Sequence, residues 1–233
     1  MNGFTFDTGF FLHEIIVGTR FVPVVLLLSL APLLAGLGLG LLVAIARVLK
    51  LPVLSQLFAV LVVVIRGIPV VLILTISYLF TNLGFGPLAA TLGLNAGSSG
   101  ISYTVVAVFG LSLSATAYLS EALRSALESV QAGQFEAARS VGLSPAQMFR
   151  RVIIPQALPV AIPLIGNNLI SLIKGSSVAS VITVVEIMGG TLLEATRSYQ
   201  FLEAYLAAAV VYWALCFATE RLTALAESHV AKY

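Results

Sequence analysis

Residues 136–159 read EAARSVGLSPAQMFRRVIIPQALP, a charged helix-turn-helix grammar inside a chain that is 59% hydrophobic and only 9% charged. Gly142 is placed as a helix C-cap, where the chain must take a left-handed conformation that glycine adopts freely. Ser144-Pro145-Ala146-Gln147 then supplies an N-cap, a first-turn proline and a capping-box glutamine for a second short helix. That helix carries Met148, Phe149 and Val152 among Arg150 and Arg151, and Pro155 is expected to mark its end. Upstream, residues 121–140 are rich in helix formers, with Gly133 the exception. Glu121, Arg124, Glu128, Glu136, Arg139, Arg150 and Arg151 concentrate charge in this one stretch. A two-turn helix with apolar and basic surface suits a groove on another protein.

On both sides of it the chain turns apolar, and the mean hydropathy of +1.06 lies far above that of a soluble globular domain. A hydrocarbon core of ~30 Å takes roughly 20 residues of helix, so apolar runs of about 18 or more read as membrane spans. Five such runs fall at residues 22–46, 53–80, 101–120, 158–185 and 205–225. The predicted fold is an all-α membrane protein of about five transmembrane helices, a single transmembrane domain over residues 1–233, with residues 121–157 as a loop within it. The first run is not read as a cleaved signal peptide, because it is long, follows an uncharged start and lacks a small-residue cleavage site. Residues 81–100, rich in Gly, Asn and Ser, read as a turn-forming loop. The single Cys216 excludes an intrachain disulfide and a multi-cysteine metal site. No fixed-period repeat occurs and no appended soluble domain is expected.

Direction follows from lysine and arginine, which are enriched in cytoplasmic loops. Five spans with the N-terminus outside put Arg47, Lys50, Arg124, Arg139, Arg150, Arg151, Arg221 and Lys232 inside. Only Arg20 and Arg197 then fall outside, and Arg66 and Lys174 lie within spans. The N-terminus is therefore expected outside, with the C-terminus and the charged loop in the cytoplasm. A loop tethered by spans on both sides cannot lay a recognition helix in a DNA major groove with supporting phosphate contacts. A solvated connector and a docking site for a cytosolic protein remain, and the turn grammar favours docking.

The same residues resemble the EAA loop of permease subunits of ATP-binding-cassette importers, at Glu136, Ala137, Ala138, Gly142, Ile154 and Pro155. Three further blocks resemble the polar amino acid uptake branch: VVVIRGIPVVLILTISYLF, AYLSEALRSALESVQAGQFEAA and LPVAIPLIGNNLISLIKGSSVASVITVVEI. The four blocks occur in order, and the resemblance covers nearly all of residues 11–228. Ile68 stands where that branch usually has Thr, and Gly175 where many members have an acidic residue, which weakens a cationic amino acid as the substrate.

The resemblance implies a type I importer fold and the translocation subunit of an ATP-driven, binding-protein-dependent amino acid importer in a bacterial cytoplasmic (inner) membrane. It implies an ATPase subunit dimer, a second permease (identical or homologous), an extracytoplasmic substrate-binding protein and membrane lipid as partners, and no nucleic acid. ATP and Mg would sit on the ATPase, and no cofactor or metal on this chain, which is expected to have no catalytic residue. The sequence carries no Gly-x-x-x-x-Gly-Lys-Ser/Thr phosphate loop, in line with a non-enzymatic transport subunit. ATPase coupling is expected at Glu136, Ala137, Ala138, Gly142, Ser144, Phe149, Arg150 and Pro155. Glu136 has two readings, a contact to the partner or a local pair with Arg139 three residues on. The alternative function is a membrane scaffold or sensor that recruits a cytosolic partner through the charged loop. An autonomous secondary transporter is disfavoured by the lack of an internal repeat and of carboxylates deep in the spans.

Ionisable residues inside spans are costly and mark functional sites. Arg66 lies roughly 20 Å along its span from Val53, close to mid-depth, and is followed by Gly67 and the helix-breaking Pro69. Asn167, Asn168, Ser171, Lys174, Ser176 and Ser177 form a second polar cluster, with Lys174 about 24 Å from Leu158. These residues with Arg66 are the candidate substrate pathway. Lys174 is open to two roles, a substrate carboxylate contact or a hold on a bent helix, and Arg66 likewise to gating or direct contact. Glu186 is placed near a gate or the binding-protein surface. Gly36 and Gly40 form a small-xxx-small pair that suits helix assembly. Tyr199 and Tyr205 are expected as interfacial anchors, and Tyr212 and Trp213 as packing residues.

Overall fold

The computed structural model describes residues 5–84, 87, 91 and 101–230. Every regular element among them is helical. In chain order these are α1 (Thr8–Arg20), α2 (Val22–Val48), α3 (Leu54–Gly67), α4 (Val70–Leu79), α5 (Tyr103–Glu128), α6 (Ala132–Ser140), α7 (Pro145–Met148), α8 (Ile154–Ser176), α9 (Ile187–Ser198) and α10 (Phe201–Val230). A π turn, Phe80–Gly84, extends α4; another, Phe149–Ile153, joins α7 to α8; a 3₁₀ segment, Ser177–Ile182, follows α8.

Four stretches are long and apolar enough to cross a membrane: Val22–Val48, Tyr103–Glu128, Pro145–Ile182 and Phe201–Val230. The pair Leu54–Gly67 and Val70–Gly84 makes a fifth if taken as one broken span. The second predicted span is therefore not one helix. Pro69 has ψ 137°, an extended cap that cannot donate to the preceding turn, and the residue before a proline avoids helical geometry. Most of the loop predicted at 81–100 lies outside the described residues, and 81–84 belong to the π turn.

Three other boundaries differ from expectation. The stretch 121–140 is two helices, because Gln131 turns extended at ψ 139° and restarts the chain as α6. Pro155 does not end a helix; it is the second residue of α8. The π turn just upstream widens the backbone, so the proline ring meets no i−4 carbonyl in the usual register. The fourth predicted span loses its regular helix at Ser176, and Thr183 takes φ +64° before an extended run into Glu186. Helix α1 was not anticipated. Asp7 starts it, accepting a 2.9 Å bond from the Phe10 N–H.

The described chain groups into two compact units. One comprises Met1–Pro32, Ile68–Ser112 and Ser171–Phe217. In it α1 packs closely on α9: a Cβ on Gly190 would fall 2.2 Å from the Phe21 ring, and Gly18 faces Thr191 and Val211. Leu28, Leu74, Leu111, Ile173, Ile182 and Ile187 are among its fully enclosed apolar side chains. The other comprises Leu33–Gly67, Leu113–Ile170 and Ala218–Tyr233. There α2 and α5 meet backbone to backbone: a Cβ on Gly36 would lie 2.8 Å from Leu119 and 2.9 Å from Ala115, and one on Gly40 would lie 3.0 Å from the Ser120 nitrogen. In lipid, where helices gain little from burying apolar surface, such close approach supplies the van der Waals contact that holds them. The small-xxx-small pair thus provides the close helix packing expected of it.

Candidate functional site

The charged loop is built by its caps. Gly142, at φ +77°, donates its N–H to the Arg139 carbonyl at 2.9 Å, and Leu143 donates to Ala138 at 3.1 Å, a complete Schellman stop for α6. Ser144 and Gln147 close the predicted capping box: the Ser144 N–H donates to the Gln147 side chain at 2.9 Å, and the Gln147 N–H to Ser144 Oγ at 3.4 Å. The Gln156 amide donates to the Gln134 side chain at 3.2 Å and ties α8 to α6.

These turns aim the loop's apolar side inward. Met148, Ile153, Ala157 and Ala161 join Ala126, Leu127, Val130 and Ala138 in one buried cluster, with Ile45, Val48, Phe149 and Val152 packed against it. Met148, Phe149 and Val152 were expected on the displayed surface. Instead Met148 is buried and the other two are half-buried, since helical periodicity puts them on the face opposite Arg150 and Arg151. What is displayed is Glu136, Ala137, Val141 and Ser144, with Ala146, Gln147, Arg150 and Arg151 lining a groove of about 390 Å³. Pro155 is exposed too, and Ala138 alone of the Glu-Ala-Ala run is buried. Glu136 and Arg139 form no ion pair among the described residues.

Beneath the loop runs an ion network absent from the sequence reading. Arg47, in the last turn of α2, pairs with Glu121 of α5; Arg124 reaches the same carboxylate at 2.8 Å and Glu128 at 2.5 Å. Arg47 and Glu121 are 74 residues apart, so no local pattern could have joined them.

The candidate pathway residues take several different settings. Asn167, Ser171 and Lys174 recur at i, i+4 and i+7 on α8, and all three are exposed in the isolated chain. Asn168 turns to its own helix, donating to the Leu164 carbonyl at 2.8 Å. Ser176 is fully buried and donates to Ile173, whereas Ser177 is half-buried and donates to Lys174. Lys174 and Ser177 line an open recess of about 260 Å³ with Met188, Tyr205 and Tyr212. Arg66 sits at the end of α3, its guanidinium 5.2 Å from the Tyr118 ring centre, a cation–π arrangement. Glu186 is fully buried rather than on a surface: it caps α9 by accepting from Met188 and Gly189 N–H groups at 3.1 Å and takes a hydrogen bond from the Tyr212 hydroxyl. Tyr199 and Tyr205 are exposed. Trp213, expected to pack, is 67% exposed and stacks on Phe217.

A broken span, an inward-packed loop with a polar outer face, and a polar stripe on the next helix agree with one family. Residues 36–232 match the binding-protein-dependent transport system inner membrane component family. The chain belongs to that family. This permease is 36% identical to the L-cystine transport system permease protein TcyL of Bacillus subtilis, over 92% of its own length and 87% of that protein's. It is 34% identical to the probable amino-acid permease protein YxeN of the same organism, over 98% and 97%. A 41% match to the probable amino-acid ABC transporter permease protein PatM of Vibrio harveyi spans 57% of the permease and about 60% of that relative's length. Among solved structures, a chain of an amino acid ABC transporter with histidines superposes with a TM-score of 0.76 at 26% identity, covering 97% of the permease and all of that chain. A chain of the inward-facing MetNI methionine ABC transporter, at 21% identity, shares the fold with a TM-score of 0.66 over 90% and 95%.

Proposed function

We propose that this permease lines the translocation pathway of an ATP-driven, binding-protein-dependent amino acid importer. It works beside a second permease, and its N-terminus lies outside and its C-terminus inside the cytoplasmic membrane. ATP and Mg are handled by a separate ATPase dimer that docks on the outer face of residues 136–151, and an extracytoplasmic binding protein delivers the substrate. The observation that carries this reading is the polar stripe Asn167, Ser171 and Lys174 left exposed on a membrane-crossing helix. A lysine facing hydrocarbon is costly, so that face belongs to a wet passage or a protein partner rather than to lipid. A scaffold that only recruits a cytosolic protein has no use for such a stripe. Relatives named for amino acids, and one for L-cystine, support an amino acid as the substrate class.

Within this reading Glu136, Ala137 and Arg150 touch the ATPase, while Ala138, Gly142, Ser144, Phe149 and Pro155 hold the surface in shape. The test is reconstitution with the cognate ATPase and binding protein. Glu136→Lys is expected to abolish copurification and substrate-stimulated ATP hydrolysis with helicity intact. Lys174→Ala is expected to abolish uptake while leaving ATPase capture unchanged. Unchanged capture by Glu136→Lys would remove the loop assignment, and normal uptake by Lys174→Ala would remove the pathway assignment.

A further inference from the structure

Helix α1 buries a carboxylate more deeply than its half-buried apolar residues Phe11, Ile15 and Val17. Its buried residues are Glu14 and Gly18, one turn apart on the face that meets α9. Glu14 is fully enclosed, and neither of its carboxylate oxygens accepts a hydrogen bond. Buried charges ordinarily persist only when paired or bound to a metal. Two further groups converge on this one. His13 Nδ1 stands 3.4 Å from Glu14 Oε1 and 3.6 Å from Oε2 of Glu194 on α9, and one donor atom from each of the three residues lies within 4.8 Å of the others.

Those separations carry chemical information. A first-row divalent ion bound at ~2.0–2.2 Å by imidazole nitrogen and carboxylate oxygen holds tetrahedral donors about 3.4 Å apart. Two of the three donor separations already meet that spacing. A single imidazole with two carboxylates suits zinc-type ions better than calcium, which takes six to eight oxygens. His13 and Glu194 are each about half exposed, at 53% and 52%, which gives an ion a way in and leaves a fourth position for water.

We propose that His13, Glu14 and Glu194 bind one zinc-type divalent cation that clamps α1 to α9. The ion supplies the partner that the buried Glu14 carboxylate lacks, and it joins the start of the chain to the helix whose N-terminus Glu186 caps. The competing occupant is a proton: a charged His13 imidazole bridging both carboxylates without metal.

The test uses the full-length chain in lipid nanodiscs with any affinity tag removed, which leaves His13 and His229 as its two histidines. Equilibrium dialysis with Zn²⁺ is expected to give one ion per chain, and Co²⁺ to give the intense visible bands of a four-coordinate site that Zn²⁺ displaces. His13→Ala and Glu194→Gln, both at half-exposed positions, should each lower Zn²⁺ affinity at least tenfold, and His229→Ala should leave it unchanged. Added Zn²⁺ should raise the melting temperature of the parent chain and not that of the two ligand variants. Absence of stoichiometric binding in the parent, equal binding in His13→Ala and Glu194→Gln, or a Zn²⁺-insensitive melt would each overturn the proposal and leave the imidazolium as the occupant.

Discussion

Gly142 allows a sharp test of how the proposed coupling surface is held. Its φ is +77°, and a Cβ built there meets nothing within 4 Å, so Gly142→Ala changes backbone preference without creating a clash. An L-residue forced into the left-handed region costs about 1–2 kcal/mol. That cost falls on the two bonds that stop α6, from Gly142 and Leu143 to the Arg139 and Ala138 carbonyls. If the turn opens as a local unit, its open population rises about 5- to 30-fold. Hydrogen exchange at the Gly142 and Leu143 amides should accelerate by that factor, while amides in the middle of α5 stay unchanged. ATPase stimulation should fall by up to the same factor, since only the closed turn presents Glu136 and Arg150 together. Asparagine tolerates the left-handed region better, so Gly142→Asn should recover most of the loss. If alanine exchanges like the parent, or asparagine is as damaging as alanine, the loop is not held by this conformational requirement.

Other outcomes follow from the packing. Gly36→Ala should overpack the α2–α5 contact and cost about 1–3 kcal/mol, seen as a lower melting temperature in detergent, whereas Gly38→Ala, with nothing within 4 Å, should be neutral. Arg47→Ala should destabilise by about 1.5–3 kcal/mol, because it strips a charged hydrogen bond from the half-buried Glu121, and a cycle with Glu121→Ala should show strong non-additivity. Glu128→Ala, on the exposed arm of the network, should cost under about 1 kcal/mol. Tyr212→Phe should cost roughly 1.5–3 kcal/mol by removing the hydroxyl that donates to the buried Glu186 cap, read by thermal melting against the parent. At Asp7, the Phe10 N–H and then the Gln200 amide hold the carboxyl below its ordinary value of 3.8. Its folded pKa is depressed, so the support it gives α1 is present above the ordinary aspartate range and is lost as pH falls through the folded value. The Phe10 amide shift should report that loss, and Asp7→Asn should remove the pH dependence.

What was legible in the sequence is what acts over three or four residues. The Gly142 stop, the Ser144–Gln147 box and the Pro69 break are local stereochemistry, and each was placed correctly from residue type and spacing. Pro155 misled because its usual effect was cancelled by a π turn, which no residue pattern announces. The inward turn of Met148 was readable in principle from its opposition to Arg150, two residues on, but a short helix at a membrane surface invites the outward reading. Long-range partners were closed to the sequence: Arg47 with Glu121, Tyr212 with Glu186, and the α5 groove that receives Gly36 and Gly40. Helix α1 escaped because thirteen residues with a histidine and a glutamate lack the length and apolarity of a span. Of the candidate pathway, residue types were legible but facing was not, and so Ser176 was grouped with residues on the opposite side of its helix.

The buried cluster under the loop also bears on transplantation. Ala138, Met148 and Ile153 are matched to Ile45 and Val48 of α2, to Ala126 and Leu127 of α5 and to Val130 in the turn after it. If the proposed docking face selects the ATPase, exchanging residues 136–155 between permeases would carry over that outer face but graft it onto a foreign bed. A chimera that retains its donor's specificity has to import those α2 and α5 positions as well, so the heritable module is a discontinuous patch drawn from α2 and α5 as well as α6 to α8, rather than the contiguous motif a sequence alignment would cut out.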